Sequence, residues 1–204
     1  MNWYSHSANL IKPFYPGLTW QIKTSERKVY LTFDDGPSPE VTQYVLGVLK
    51  EYGFHATFFC IGENVIKHPS IYASILAEGH SVGNHTFTHL NGFKNRNDIY
   101  LLNTAEAAKQ IDSKLFRPPY GRIKFGQSRV LKQQYKIIMW SILSGDFDEN
   151  LDLKNAERRI KSLTKPGSIV VFHDSNKALK NLRHLLPIYC AYLKANNYTS
   201  CQLS

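Results

Sequence analysis

The 204-residue sequence predicts a single α/β domain with a parallel β-sheet, most simply a small and incomplete β/α barrel. Seven short apolar runs alternate with segments of helical periodicity, and several of these runs are continuously apolar, as buried parallel strands are. A doubly wound open sheet is the alternative. It is less favoured because no glycine-rich phosphate loop follows the first strand, where residues 34–37 are Asp-Asp-Gly-Pro.

The predicted strands and helices follow from periodicity and from the positions of glycine and proline. We expect strands at residues 29–33, 57–61, 81–84, 115–117, 137–142, 169–172 and 199–203. The first and last predicted helices have apolar stripes within residues 41–52 and 179–193. Gly53 and Gly79 mark the ends of two helices, and a Pro-Gly pair at 166–167 marks the turn before the sixth strand.

The composition predicts a folded domain without a membrane-spanning helix. Hydrophobic residues make up 43% of the chain, yet no apolar run approaches the roughly 20 residues that a span requires. We expect residues 1–27 to form an N-terminal extension whose aromatic side chains pack against a domain of residues 28–204. The first residues lack the basic start, apolar core and cleavage site of a signal peptide, so a cytoplasmic location is the default expectation.

The net charge of +9 is interpreted first as the solvated faces of basic helices, because lysine and arginine are spread along the chain. Attraction to an anionic cell-wall or lipid surface is the alternative. The sequence contains no nucleic-acid recognition motif, and we expect no nucleic-acid partner.

The three cysteines, Cys60, Cys190 and Cys201, show no metal-binding spacing and do not form a disulfide framework. A single Cys190–Cys201 bridge stays open as an alternative.

Ionisable side chains follow the predicted strands at the carboxyl end of each strand. Because the carboxyl ends of barrel strands lie on one face, we expect these side chains to form one site. A carboxylate combined with two histidines four residues apart is a typical ligand set for a divalent metal that keeps an open catalytic position. The groups concerned are Asp34, Asp35, His85, His89, Arg117, Asp146 and His173.

Four ordered motifs resemble those of the polysaccharide deacetylase family, also known as the NodB homology domain or carbohydrate esterase family 4. They are Thr-Phe-Asp-Asp-Gly at 32–36, His-Thr-x-x-His at 85–89, Arg-Pro-Pro-Tyr at 117–120 and Phe-His-Asp at 172–174. The resemblance covers roughly residues 28–203. It implies a distorted (β/α)7 barrel and metal-dependent removal of N-acetyl groups from a glycan of the peptidoglycan or chitin type.

The resemblance also implies the role of each residue. Asp35, His85 and His89 match the ligands of a divalent metal, usually zinc, with cobalt or nickel as substitutes.

The remaining motif residues match the catalytic groups of the family. Asp34 matches the catalytic base, and Arg117 the arginine paired with it. The Tyr120 amide matches the group that binds the oxyanion, and His173 the general acid. Asp146 resembles the aspartate that supports this histidine.

The sequence departs from the family pattern near Asp146. The family often has aspartate and tryptophan where this chain has Leu143 and Phe147, although phenylalanine can also form a wall of an acetyl pocket. Tyr100, Tyr120 and Phe125 are further candidates, with Phe147, for walls of sugar subsites.

Two other functions remain open on the sequence. One is an O-acetyl esterase that acts on a xylan-like glycan, and the other is a non-catalytic carbohydrate-binding protein. Members of the family usually act in the cell envelope or outside the cell, so an envelope location is the alternative to the cytoplasm.

Overall fold

A computed structural model describes residue 15 and residues 17–204, and shows a parallel sheet curled into part of a barrel with helices on its outside. The strands are β1 (Lys28–Asp34), β2 (Ala56–Cys60), β3 (Ser81–Asn84), β4 (Leu115–Phe116), β5 (Lys136–Ile137), β6 (Ile142–Leu143), β7 (Ile169–His173) and β8 (Thr199–Ser200). The strand order is β5-β4-β3-β2-β1-β7-β6, and β8 pairs with the start of β1.

This order is that of a barrel with one break in its wall. Followed as a ring, the strands run consecutively from β1 to β7, and the break lies between β5 and β6. A doubly wound sheet would reverse its order at an internal switch point, and no reversal occurs. Every strand pairing is parallel. The predicted distorted barrel is therefore confirmed.

The predicted strand at residues 137–142 is wrong in one respect, because the run divides between two strands. Ile137 pairs with β4 at one edge of the sheet, and Ile142 pairs with β7 at the other edge. The residues between them cross the break, and two of these, Ile138 and Met139, are also buried. One continuous strand and two strands joined by a buried crossing both produce an apolar run. The sequence pattern therefore does not show the break.

The break is crossed by part of the N-terminal segment. Thr19 forms a parallel bridge with Ile138, and its carbonyl accepts a hydrogen bond of 2.7 Å from the Met139 amide. Gln21 forms an antiparallel bridge with Ser168, which precedes β7. Residues 19–21 thus connect the two edges of the barrel. The division into an extension and a domain at residue 27 stays a prediction, and residues 1–14 and 16 lie outside the described residues.

The described helices are α1 (Pro39–Tyr52), α2 (Gly62–Lys67), α3 (Pro69–Ala77), α4 (Asn97–Ala108), α5 (Phe125–Leu131), α6 (Leu153–Leu163) and α7 (Leu179–Ala195). Gly53 ends α1 in the left-handed conformation, with φ 64°, as its sequence position predicted. None of the helices in residues 17–204 is both long and apolar enough to cross a membrane.

The core is centred on β1, which lies between β2 and β7. The Phe33 ring stacks on Phe58 at 5.1 Å and on Phe172 at 6.0 Å between centroids, and all three are buried. Cys60 and Cys190 are buried free thiols, and Cys201 is also free, so the open alternative of a Cys190–Cys201 bridge is not formed.

His80, at the end of the barrel opposite the strand carboxyl ends, makes stability depend on pH. Its Nδ1 accepts a hydrogen bond of 3.2 Å from the Ala56 amide, and burial with nearby His55 lowers its pKa to about 4. In the unfolded chain the pKa of His80 is about 6.5. Between this value and the folded-state value, the His80 ring is protonated in the unfolded state but neutral in the folded state. Stability is therefore expected to fall as the pH decreases from 6.5 towards 4.

Urea unfolding at pH 7 and pH 5 checks this expectation. The free energy of unfolding of the wild type should decrease by on the order of 1 kcal/mol more than that of His80→Asn, whose amide oxygen can accept the same hydrogen bond. Equal decreases in the two proteins would contradict the role of His80.

Candidate active site

The sequence-predicted site residues meet at the carboxyl ends of the strands. Six of them line one pocket of about 920 Å³, namely Asp34, Asp35, His85, His89, Tyr120 and His173. Arg117 and Asp146 are fully buried and lie behind the pocket wall, where each hydrogen-bonds to one of the lining residues. The expected convergence of the strand ends is thus what the structure shows.

Asp35, His85 and His89 form a compact cluster of metal-donor atoms. One donor atom from each lies within 4.8 Å of the others, and it is the only such cluster among the described residues. The Asp35 carboxylate is 3.1 Å from Nε2 of His89 and 3.7 Å from Nε2 of His85.

Two of the three ligand residues have an unusual backbone conformation. Asp35 has φ 82° and His89 has φ 56°, in the left-handed region that residues other than glycine seldom adopt. Such a conformation costs on the order of 1 kcal/mol and persists only where surrounding contacts impose it. The strained backbone at these two residues places both side chains next to each other.

His85 is held as a neutral imidazole. Its Nδ1 lies 2.8 Å from the Arg117 carbonyl, which can only accept, so Nδ1 carries the proton and Nε2 has a free lone pair. Burial lowers the pKa of His85 to about 4. A neutral imidazole with a fixed tautomer is the form that binds a metal.

Asp35 is held in the ionised form. Burial acts to raise its pKa, but the His89 hydrogen bond and the positive charge of His173 outweigh burial and hold the pKa well below its usual range. The side-chain Nδ2 of Asn64 also donates to the Asp35 backbone carbonyl at 2.8 Å, which fixes the backbone of this turn.

Arg117 is a fully buried guanidinium that binds Asp34. Its Nη1 donates to the Asp34 carboxylate and to the Thr32 hydroxyl, both at 2.7 Å. Its other nitrogens donate to the Ile138 and Met139 carbonyls at 3.2 and 3.1 Å. Burial lowers its pKa while Asp34 opposes that shift, and the guanidinium stays charged because its ordinary pKa is so high.

The guanidinium also packs on an aromatic ring. Its central carbon is 4.1 Å from the centroid of the Phe59 ring, which adds a cation–π contact to the hydrogen bonds. The planar face of the Arg117 guanidinium is thus held by the ring, and its edge is held by the hydrogen bonds.

His173 and Asp146 form a second buried ion pair. The Asp146 carboxylate lies 2.7 Å from Nδ1 of His173 and accepts the His173 backbone amide at 2.8 Å and the Ser144 hydroxyl at 2.9 Å. Burial disfavours the charged imidazole, but the Asp146 carboxylate outweighs it and raises the pKa of His173 to about 9. Nδ1 is committed to Asp146, so Nε2 is the nitrogen left for a ligand.

Tyr120 lines the pocket at a turn that follows β4. Its φ is 60°, and the hydrogen bonds of its turn begin one residue later, at the Gly121 amide, which donates to Pro118. The Tyr120 ring is 60% exposed and packs against His89 at 4.6 Å between centroids.

Asp174 is a site residue that sequence reasoning missed. Its carboxylate accepts the Gly36 amide at 3.0 Å and the Thr42 hydroxyl at 2.6 Å, and its own amide donates to the Asp34 carbonyl at 3.0 Å. Burial raises its pKa to about 7. A Cβ on Gly36 would lie 2.0 Å from the Asp174 carboxylate, so this turn needs glycine. The His-Asp dipeptide at the strand end was the available signal.

Only two of the four predicted subsite walls are at the pocket. Tyr120 and Phe147 line it, whereas Tyr100 is fully buried in the core and Phe125, although 64% exposed, is not part of the lining. Phe93, which the sequence did not single out, lines the pocket and is 51% exposed.

A family model for polysaccharide deacetylase matches residues 21–136, more than half of the chain. The chain belongs to the polysaccharide deacetylase family.

Two characterised relatives and one solved structure show the range of the similarity. The chain is 35% identical over 165 residues to a peptidoglycan-N-acetylglucosamine deacetylase of Bacillus cereus, and the match covers 77% of each chain. It is 32% identical to a chitooligosaccharide deacetylase of Azorhizobium caulinodans, over 78% of this chain and 79% of the relative. The crystal structure of the Bc1960 peptidoglycan N-acetylglucosamine deacetylase superposes with a TM-score of 0.78 and 28% identity, over 92% of this chain and 91% of the other.

Polysaccharide deacetylases depend on a metal, and the donor set of this chain fits one. One carboxylate and two neutral imidazoles leave coordination positions open, which is typical of catalytic sites. Sequence, fold and site agree on a hydrolase that removes N-acetyl groups from glycans.

The two departures from the family pattern lie in the pocket wall. Leu143 and Phe147 both line the pocket, together with Trp140 and Val171. The Phe147 ring meets the His173 ring edge-on at 5.0 Å. The wall beside His173 is therefore apolar, and Phe147 packs on the imidazole.

Replacement of Arg117 is expected to destabilise the fold as well as the site. Arg117→Met leaves Asp34 and two buried carbonyls without a donor, and breaking a buried ion pair in this way costs about 3–5 kcal/mol. Urea unfolding measures the loss. The exposed Arg129→Met is the control and should change stability by no more than about 0.5 kcal/mol. An Arg117→Met protein as stable as the wild type would contradict this account.

Proposed function

We propose that this chain hydrolyses the acetamide of an N-acetylated glycan, of the peptidoglycan or chitin type, and releases acetate. The observation that carries the proposal is the meeting of three units in one pocket: the Asp35, His85 and His89 cluster, the Asp34–Arg117 pair and the His173–Asp146 pair. These units supply a metal site, a base and an acid. A metal-dependent amide hydrolase uses all three.

Asp35, His85 and His89 would hold the metal, with zinc as the first choice and cobalt or nickel as substitutes. A divalent ion bound by three protein ligands supplies a Lewis acid that polarises the amide carbonyl and lowers the pKa of a water molecule towards roughly 7.

Asp34 acts as the general base. Its carboxylate lines the pocket one residue before the metal ligand Asp35, and Arg117 holds one of its oxygens by a 2.7 Å hydrogen bond. The other oxygen is left to accept the proton of the attacking water. Arg117 is a positioning residue, since it fixes the orientation of Asp34 from behind the pocket wall.

His173 acts as the general acid. With a pKa of about 9 it is protonated at neutral pH, and Asp146 occupies its Nδ1. The Nε2 proton is then available to the amine that leaves when the carbon–nitrogen bond breaks. The Tyr120 amide would donate to the carbonyl oxygen as negative charge develops on it.

Acetate release from N-acetylated chito-oligosaccharides and from peptidoglycan glycan strands tests the proposal. A chelator should abolish release, and added zinc or cobalt should restore it. Asp34→Asn should keep stoichiometric metal and lose about 10²-fold or more in rate, because the base is missing. Asp35→Asn should lose both metal and activity.

The exposed Asp112→Asn is the matched control and should behave as the wild type. Two results would contradict the proposal. Release only from O-acetylated xylan would indicate an esterase. Stoichiometric metal with no release from any of these glycans would indicate a carbohydrate-binding protein.

The pH dependence tests the His173–Asp146 pair. His173 works in its protonated form, so kcat/KM of the wild type should decline above about pH 9. In Asp146→Asn the burial of His173 remains while its largest favourable charge is lost, and only the smaller effects of Asp35 and Asp34 still favour the imidazolium, so its pKa should fall. The alkaline decline of kcat/KM should then begin at a lower pH than in the wild type. Identical pH profiles for the two proteins would show that Asp146 does not set the pKa of the acid.

A further inference from the structure

Two cations at the pocket have no partner among the residues that the structure describes. Arg122 and Lys177 both line it and are exposed, and neither side chain forms a hydrogen bond or ion pair with any described residue. The only acidic residues of the described lining are Asp34 and Asp35, which are committed to Arg117 and to the metal-donor cluster. The rim of the pocket is therefore positive and uncompensated.

The topology places these two cations on opposite sides of the candidate metal centre. Arg122 follows β4 and Lys177 follows β7, and the sheet order between them is β3, β2 and β1. β1 and β3 are the strands that lead into the metal-donor residues Asp35, His85 and His89. A glycan that places an acetamide at the centre would therefore pass one cation on each side.

The start of α7 adds to the positive rim beside Lys177. This 17-residue helix has no acidic residue in its first turn and no side-chain cap. Its N-terminal amides and the helix dipole favour an anion at this point. Lys177 and the N-terminus of α7 therefore both favour a bound anion.

We propose, on the basis of the deacetylase function proposed above, that Arg122 and Lys177 select glycans with carboxylates on the sugars that flank the acetylated residue. A peptidoglycan glycan strand has such carboxylates where its peptides have been removed, because alternate sugars bear a lactyl group, whereas chito-oligosaccharides are neutral. An Arg guanidinium binds a carboxylate through two parallel hydrogen bonds, and a Lys ammonium binds it as a point charge.

Rim contacts of this kind give a modest but measurable preference. An exposed ion pair changes affinity by about threefold, so two of them together support a preference of about tenfold. The preference is expected in KM rather than in kcat, because the carboxylates lie away from the bond that breaks. It should weaken at high salt, since exposed charges are screened.

A pair of oligosaccharides of equal length tests the inference. One is a chito-oligosaccharide, and the other is a peptidoglycan strand freed of its peptides, whose lactyl carboxylates are exposed. Acetate release from each gives kcat/KM at low salt and at 0.5 M salt (about 4 Å Debye length). The wild type should prefer the acidic strand by about tenfold at low salt and much less at high salt.

Arg122→Gln combined with Lys177→Gln should bring this ratio close to one. The net charge of +9 would attract any anion, so the control removes two charges elsewhere. Lys154→Gln combined with Lys165→Gln changes exposed lysines outside the pocket and should keep the preference. An equal loss of preference in both double variants, or no preference in the wild type, would overturn the inference.

Binding of the two oligosaccharides, measured by calorimetry, separates this inference from the proposed function. Acetate release from both without a difference leaves the deacetylase function standing and refutes the selection. Tighter binding of the acidic strand that depends on Arg122 and Lys177, with no acetate release, supports the selection and refutes the deacetylase function.

Discussion

The Arg117 side chain is the constraint on which the site depends. Its guanidinium is buried without contact with water, and an unpaired charge in that position would cost several kcal/mol. Asp34 neutralises it, and the carbonyls of Ile138 and Met139 accept hydrogen bonds from its Nε and Nη2. The backbone carbonyl of the same residue accepts a hydrogen bond from Nδ1 of His85. Asp34, His85 and the chain that crosses the barrel break are therefore all positioned by one residue.

The adjacent carboxylates of Asp34 and Asp35 owe their different environments to the backbone between them. Asp34 is the last residue of β1 and takes its conformation from the sheet, whereas Asp35 has φ 82° and turns away from it. Asp174 stabilises this change of direction, because its amide binds the Asp34 carbonyl and its carboxylate binds the Gly36 amide. Two identical side chains thus reach two different partners.

The fold and the centre of the site could be predicted from the sequence because both rest on local patterns. Parallel strands end on one face, so residues at strand ends such as His85 and His173 had to converge. The break between β5 and β6 could not be predicted, because Ile138 is buried whether it lies in a strand or crosses the break. Nor could the burial of Tyr100, since an aromatic side chain on a helix suits a core or a sugar site equally well.

Among the described residues, charges deep in the pocket have partners of opposite charge, whereas charges at its rim do not. In the depth, Asp34 and His173 each have a buried partner of opposite sign, and their positions are fixed before a ligand arrives. Preorganised groups of this kind suit the acetamide, which is the same in every N-acetylated glycan. At the rim, Arg122 and Lys177 have no partner in the described chain. These two unpaired cations lie beside the candidate metal centre, where they contact the sugars next to the acetamide. They therefore act on the part of the substrate that differs between polymers.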